Sequence, residues 1–266
     1  MNPLSFVRSL ARLLAGRPQV PPALAENALL QTIYRRRSIR SFTADPVRDD
    51  ELAAILEAGR LAPSTVNLQS WSFAVFTADT WRETFGRPIP FRAQRAVIVL
   101  GDMHRMRALL PDFPTCPLVD FTTAVMNASL AAMSMNLAAE ALGISSVMLS
   151  ETGRSGLLDA GYLKEVLGLP EQVFPLTTIA FGRARGLHPP MPPKLPLEII
   201  SFQGRYAEPD PAVLHDWLDQ MTAGYKAMRP TSSLEDQLQV YESKVEQAEV
   251  DLRRIVFGDG NSPVTE

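Results

Sequence analysis

The stretch DFTTAVMNASLAAMSMNLAAEAL, residues 120–142, decides how the rest of the chain must be arranged. It is rich in Ala and Met, long enough for about six helical turns, and followed by Gly143, a residue suited to the left-handed position just past a helix end. It is apolar on more than one face, which predicts burial on several sides, either as a central core helix or at a subunit interface. Met126, Met133 and Met135 read as a cofactor box or as soft core filling, and core filling is the ordinary use of the residue. Short apolar runs stand on both sides of this helix. Ser72–Thr77 and residues 96–100 (AVIVL) precede it, and Ser145–Leu149 and Leu176–Phe181 follow; each has the length of a strand, and the AVIVL run that of a fully buried one. Leu197–Phe202 reads as a further, edge strand.

Helical patterns fill the remainder. One starts at Asn27 and breaks at Ser41-Phe42 and Pro46; a second starts at Asp49-Asp50-Glu51, acids placed for the positive end of a helix dipole, and stops at Pro63-Ser64. A helix around Leu158–Leu167 closes at Gly168 and Pro170. Pro189–Pro196 holds five prolines and reads as a stiff extended connector. Asp210-Pro211 forms an N-cap and first-turn pair for a helix with the stripe Leu214, Trp217, Leu218 and Met221. Ser232-x-x-Glu235 reads as the capping box of a last helix ending at Gly258. The order of helices, strands, a long helix, strands and helices is an α+β layout rather than a βαβ series. No GxGxxG follows a strand, so a Rossmann dinucleotide site is not indicated.

Composition narrows the function classes. The 266 residues are 46% hydrophobic and 21% charged, with a net charge of −3, so neither nucleic acid nor an anionic membrane is an expected partner. A single cysteine, Cys116, excludes an intrachain disulfide and fits a reducing, cytoplasmic compartment. His104, His188 and His215 are far apart and lack HExxH or CxxC company, so no zinc or di-iron site is expected. No apolar run is read as approaching the ~20 residues of a membrane span. Residues 1–20 carry Arg8, Arg12 and Arg17 and no acid, a pattern shared by mitochondrial presequences and by amphipathic helices that pack on the body of a protein; Leu4, Val7, Leu10, Leu13 and Leu14 give the apolar face expected of the second.

Two segments carry chemistry. Arg35-Arg36-Arg37-Ser38-Ile39-Arg40 combines several guanidiniums and a hydroxyl at the end of one helix, which suits a phosphomonoester, because each guanidinium can donate paired hydrogen bonds to phosphate oxygens. A solvated basic face would look the same in isolation. About 25 residues later comes Leu61-Ala62-Pro63-Ser64-Thr65-Val66-Asn67-Leu68-Gln69-Ser70-Trp71, a polar loop whose carboxamides can both donate to and accept from the edge of a heterocycle.

In this order and spacing the two segments resemble the nitroreductase family of FMN enzymes, which opens with a basic-Arg-Ser-x-Arg signature and follows with a Pro-Ser-x-x-Asn-x-Gln-Pro-Trp loop. The likeness continues through Glu140-Ala141-Leu142-Gly143-Ile144, through Gly168–Pro175 to the strand ending Phe181-Gly182, and through Pro193–Glu198 to Arg205-Tyr206. It covers roughly Asn27 to Tyr206. The helical tail, with Tyr225 and Arg229, is similar to the extension of the NADPH-preferring group-A enzymes. The resemblance implies a central, mostly antiparallel sheet flanked by helices and a C-terminal helical extension. The implied division is an N-terminal arm over 1–26, an FMN-binding domain over 27–206 and the extension over 207–266.

By position, the resemblance implies that Arg36, Arg37, Ser38 and Arg40 hold the flavin phosphate and ribityl chain, with Lys194 reaching the same phosphate. Ser64, Asn67 and Gln69 would lie along the flavin, the backbone N–H groups of Ser150 and Glu151 would meet N5, and Arg229 would bind the extra phosphate of NADPH. The chain departs from the pattern at three places: Ser70 replaces the proline before Trp71, Pro192 replaces a second basic residue, and Ser150-Glu151 replaces Gly-Gly. A glutamate beside N5 is expected to narrow the pocket and to disfavour an anionic reduced flavin. The implied activity is hydride transfer from NADPH or NADH through FMN to an electron-poor small molecule (a nitroaromatic, quinone or flavin) by a ping-pong mechanism in a homodimer. No side-chain nucleophile or catalytic acid is required. The same resemblance also spans flavin-dependent dehydrogenases acting on metabolites or peptides, and a non-catalytic flavin-storage role is the alternative from another class.

Overall fold

A computed structural model describes residues 3–15, 18–149, 156–229 and 231–258. The chain forms two compact units, one made of Met1–Ala25 with Pro189–Ser243 and the other of Glu26–His188 with Lys244–Glu266.

The larger unit is built on four antiparallel strands, β1 (Trp71–Thr77), β2 (Arg95–Asp102), β3 (Ser145–Leu149) and β4 (Val173–Gly182), in the spatial order β1-β2-β4-β3. All four strand expectations hold, with β4 starting three residues earlier than the apolar run suggested. The continuous apolar run in β2 has a physical reason. Ala96, Ile98 and Leu100 face one core, together with Trp81, Phe85 and Leu163, whereas Val97 and Val99 face another, with Ile55, Met135 and Phe181. A strand covered on both faces has no polar side to alternate with.

Helices α3 (Asp49–Arg60) and α6 (Pro117–Ala141) cover the second face and pack against each other, while α4 (Ala78–Phe85) and α7 (Ala160–Val166) pack against the sheet strands. Trp81 is fully buried at the centre of the first face, its ring edge-on to Phe76 at 5.3 Å and tilted on Phe85 at 4.4 Å. The helix over 120–142 is present, extended at its start to Pro117, and Gly143 has the expected positive φ of 71°. By length and composition α6 could cross a membrane, which corrects the expectation that no segment approaches that threshold. Its stripe of Ala124, Ala128, Ala131, Ala132, Met135 and Ala139 is buried in the unit's own core, as in a central core helix. Met135 is core filling as expected, whereas Met126 and Met133 lie on the exposed side of the helix, against that expectation.

Several boundaries differ from the sequence expectation. The first helix of this unit, α2 (Ala28–Arg35), opens on an Asn27 cap that accepts from the Leu30 N–H at 3.0 Å, but it ends five residues before the expected break. Arg36 turns out of the helix with ψ 134°, and bridges at Ser38 and Phe42 hold the following residues in extended form. Neither α4 nor α5 (His104–Leu109) was expected; both are under three turns long, too short for a periodic apolar stripe to be distinctive.

Acids at the start of α3 do more than complement its dipole. The Glu51 carboxylate is buried, accepts the Arg48 N–H at 3.0 Å, and pairs with Arg183 at 2.6 Å across the unit. Burial pushes the Glu51 carboxyl up, but the Arg48 N–H and the Arg183 guanidinium outweigh it and hold the pKa below the ordinary carboxylate value. A lowered folded pKa means that this stabilisation is present above the ordinary pKa and is lost as pH falls through the folded value. Glu51→Gln is therefore expected to cost about 1–3 kcal/mol at neutral pH, with the deficit closing below about pH 4. Paired thermal melts across that range test this; a deficit unchanged at low pH contradicts it.

In the smaller unit, α1 (Pro3–Ala15) packs on α9 (Pro211–Met228), the arrangement expected of a packing helix. Asp210 caps α9 through the Ala212 N–H at 2.9 Å, and Trp217, half-buried, donates its indole N–H to the Pro193 carbonyl at 3.3 Å. Leu197–Ile200, expected as part of an edge strand, is instead a single-turn helix, α8, after Pro196. Four residues rich in Leu and Ile cannot be assigned by period alone, and among the described residues no strand pairs with this segment. The last helix, α10 (Leu234–Phe257), begins in this unit and ends in the larger one. Its capping box is one residue later than expected: Ser233 and Asp236, rather than Ser232 and Glu235, exchange the reciprocal bonds at 3.0 and 2.7 Å.

Candidate functional site

The arginine run forms a turn fastened to the open edge of β3. Ile39 donates its N–H to the Ser146 carbonyl at 3.0 Å, and Ser38 makes a parallel bridge to Ser146. Further along, Thr43 donates its N–H to the Arg183 carbonyl and Arg185 donates to that of Ser41, which ties the same segment to the end of β4. Ile39 and Phe42 supply the reason for this anchoring, since both side chains are buried in the core of the first sheet face. The residues between and beside them, Arg36, Arg37, Ser38 and Arg40, are left half-buried or exposed. Arg37 bonds through Nη1 to the carbonyls of Tyr34 (2.7 Å) and Arg36 (2.8 Å), so it fastens the turn. Arg35 ends α2 and pairs with the buried Glu140 of α6 at 3.4 Å. Beneath the turn, the Ser146 hydroxyl donates to Asn136 Oδ1 of α6 at 2.9 Å.

The Pro-Ser-Thr loop lies at the other end of the sheet. Its backbone is unusual: Val66 (φ 43°), Asn67 (φ 57°) and Gln69 (φ 48°) all occupy the left-handed region without being glycine. Such residues cost of order 1–3 kcal/mol each and persist only where the surroundings fix them. The Ser64 hydroxyl accepts the Gln69 N–H at 3.0 Å, and Asn67 N–H donates to the Ser64 carbonyl at 3.0 Å. Asn67 and Gln69 present exposed carboxamides side by side, 3.5 Å apart.

Two groups outside the loop hold it, and neither was anticipated from the sequence. Arg105 donates to the backbone carbonyls of Gln69 (3.2 Å) and Trp71, and is itself paired with the buried Asp102 at 3.4 Å. Asp102 also accepts from the Ser72 hydroxyl. From the opposite side, Asn127 of α6 bonds to both Thr65 and Ser70. The signal was present in the helix itself: Asn127 and Asn136 interrupt the alanine-rich middle of its buried stripe, where a polar residue survives only with partners. The serine that replaces the usual proline at position 70 is fully buried and is one of those partners.

The chain does not bring its two motifs together. Ser146, under the arginine turn, is level with Phe181 and Arg95, whereas Trp71 pairs with Gly101 at the far end of β2, about 20 Å away along the strand. Their anchors on α6, Asn136 and Asn127, stand about 14 Å apart along the helix axis. Lys194 and Arg229 belong to the smaller unit. Lys194 is exposed on the proline-rich connector. Arg229 donates to the Tyr225 hydroxyl at 2.7 Å and lies over the Tyr225 ring at 5.0 Å, so it is an ordered surface group. Ser150 and Glu151 lie outside the described residues.

The chain is similar to known proteins in both sequence and fold. Residues 33–183, from the end of α2 to the end of β4, match the sequence model of the Nitroreductase family. The chain is 27% identical to the NADPH-flavin oxidoreductase of Vibrio harveyi over 77% of its own length and 85% of that protein's. It is 26% identical to the oxygen-insensitive NADPH nitroreductase of Salmonella typhimurium, over 78% and 86% of the two lengths. Among solved structures, B. megaterium NfrA2 superposes with a TM-score of 0.72 at 22% identity, covering 86% of this chain and 98% of that one. The V. harveyi NADPH:FMN oxidoreductase, solved with NAD+, superposes with a TM-score of 0.69 at 23% identity, covering 85% and 98%. A shared antiparallel core, an arginine–serine turn on the edge of β3, and a family match over more than half its length together establish that this chain belongs to the nitroreductase family.

Proposed function

We propose that the protein is an FMN-dependent NAD(P)H oxidoreductase reducing electron-poor small molecules such as nitroaromatics, quinones or flavins. The observation that carries this reading is the turn over Arg36–Arg40, in which buried Ile39 and Phe42 fix a segment whose remaining side chains are three guanidiniums and a hydroxyl. That donor set fits a phosphomonoester, which needs several charge-assisted donors converging from a rigid backbone. Adjacent carboxamides at Asn67 and Gln69, on a backbone too strained to wander, fit the mixed donor and acceptor edge of a flavin ring.

In this reading Arg36, Arg37, Ser38 and Arg40, with Lys194, hold the phosphate and ribityl chain. Ser64, Asn67 and Gln69 orient the ring, the N–H groups of Ser150 and Glu151 face N5, and Arg229 meets the extra phosphate of NADPH. FMN supplies, when bound, two-electron carrier chemistry between NAD(P)H and the acceptor. The protein's own task is to hold, orient and exclude water, with no side chain needed as nucleophile. Donor and acceptor use one site in turn, which gives ping-pong kinetics.

A homodimer is part of this reading, and two features of the larger unit support it. Its two sets of candidate flavin contacts lie at opposite ends of the sheet, so a second copy is suited to complete each site. On the side of α6 away from the core, Met126 (59% exposed), Leu130 (46%) and Met133 (40%) form an apolar stripe at helical spacing, the kind of face that a subunit interface buries.

An absorbance spectrum of the purified protein, followed by stopped-flow mixing with NADPH and with NADH, tests the proposal. A flavin spectrum that bleaches rapidly on mixing supports the reductase. A yellow protein inert to both nucleotides would make it a storage protein or a dehydrogenase, and a colourless protein that does not take up added FMN would defeat the flavin reading altogether.

A further inference from the structure

We propose that Asn127 is a positioning residue for the flavin-facing loop, setting where the Asn67 and Gln69 carboxamides stand. The inference rests on the flavin reading above and extends it to a residue that touches no ligand. Asn127 is only 2% exposed, in the middle of α6. Its Oδ1 accepts from the Thr65 N–H at 3.1 Å and from the Thr65 hydroxyl at 3.3 Å, and its Nδ2 donates to the Ser70 hydroxyl at 2.8 Å. One carboxamide thus closes both ends of the segment Thr65–Ser70. Every left-handed non-glycine residue of the loop lies between those two ends.

The alternatives for holding the loop are weaker. Bonds inside it, from Asn67 and Gln69 to Ser64, fix its shape but not its place on the body of the unit. Arg105 and the Asp102 N–H fasten only the exit, through the carbonyls of Gln69, Trp71 and Ser70. At the entrance, Thr65 is joined to the rigid body through Asn127. The chemistry of the pair also accounts for Ser70. A proline there would fix the exit through its ring, whereas a buried serine needs a partner for its hydroxyl, and Asn127 is that partner.

Asparagine and aspartate have the same shape, and a serine hydroxyl can donate as readily as it accepts. Asn127→Asp therefore keeps all three contacts, with the Ser70 bond reversed, whereas Asn127→Leu fills the space and keeps none. The experiment titrates FMN into flavin-free wild type, N127L and N127D, records the bound flavin's visible band, and measures hydrogen exchange of the loop amides in the flavin-free proteins. Asn127→Leu is expected to weaken FMN binding on the order of 10–100-fold, to alter the visible band, and to speed exchange over the loop while the β2 and β4 amides stay protected. Asn127→Asp keeps the three contacts but buries a carboxylate, so it is expected to hold loop exchange closer to wild type than N127L does while losing global stability. Unchanged affinity and exchange in N127L would overturn the assignment. Should N127L not fold, Thr65→Val with Ser70→Ala removes the two hydroxyl contacts from the loop side, leaves the Thr65 N–H bond, and must loosen the loop in the same direction. The exchange measurement needs no flavin, so a protein that binds none fails the flavin reading, while an unperturbed loop in N127L fails this one.

Discussion

Replacing Arg36 and Arg40 together with alanine is expected to weaken FMN binding by about 10²–10⁴-fold while leaving the fold intact. The magnitude follows from two charge-assisted hydrogen-bonding groups at about 1.5–3 kcal/mol each, converted at about 1.4 kcal/mol per tenfold change. The fold should survive because the turn is held from beneath, by Ile39 and Phe42 in the core and by the Ile39 N–H on Ser146. Arg37 is left in place for the same reason, since its guanidinium fastens the turn to the carbonyls of Tyr34 and Arg36. Equilibrium titration of the flavin-free double variant, beside a thermal melt, is the check. An affinity within about threefold of wild type at an unchanged melting temperature would remove the phosphate from this turn.

The largest effect on stability is expected at Asp120. This carboxylate is buried in the first turn of α6, where it pairs with Arg107 and accepts the Cys116 N–H at 3.3 Å. Arg107 is itself mostly buried and also donates to the carbonyls of Phe113 (2.6 Å) and Pro114 (2.9 Å) and to the Gln172 side chain (3.3 Å). Removing one partner of a buried pair leaves a desolvated charge behind, which typically costs about 3–5 kcal/mol. For a unit of this size that is a fall of about 10 °C in melting temperature. Asp120→Asn, which keeps an acceptor for Arg107 but no charge, should lose distinctly less. Thermal or denaturant melts of both variants decide the matter, and a loss below about 1 kcal/mol in Asp120→Ala would mean that the pair is solvated in practice.

The strands and the long helix could be read from the chain because their burial leaves a plain mark. A run such as residues 96–100, apolar at every position, has no other economical place than a strand covered on both faces. The caps at Asn27 and Asp210 were equally readable, since each is a local bond between a side chain and a nearby N–H. What could not be read is whatever depends on residues distant in sequence. Leu197–Ile200 has strand-like composition, yet it forms a single helical turn and pairs with none of the described strands, an outcome that four residues do not encode locally. Ser233 in place of Ser232 as the cap is a choice between adjacent, chemically equal serines, settled by which one Asp236 can reach.

The candidate site divides in the same way. Its ligand-facing residues stood out as motifs, because arginines beside a serine and paired carboxamides are uncommon on a helix end or a loop. The groups that support them did not. Asn127, Arg105 and Asp102 are 30 residues or more from the loop positions they fasten, apart from the local Arg105–Asp102 pair. No spacing rule connects them to it. The distance between the two motifs within one chain was also invisible, since the register of β2 and the course of α6 determine it.

The placement of the three tryptophans gives this protein its own set of optical reporters. Trp81 is sealed among Phe76 and Phe85, Trp71 follows directly on the strained loop, and Trp217 sits in the smaller unit against the Pro193 carbonyl. Their emission therefore samples a dry aromatic core, the loop beside the candidate site, and a half-wet helix face. Trp217→Phe leaves reporters in the larger unit alone, and Trp71→Phe with Trp81→Phe leaves one in the smaller unit alone, so the melting of each can be followed separately; two units that lose structure at different denaturant concentrations would show two distinct midpoints.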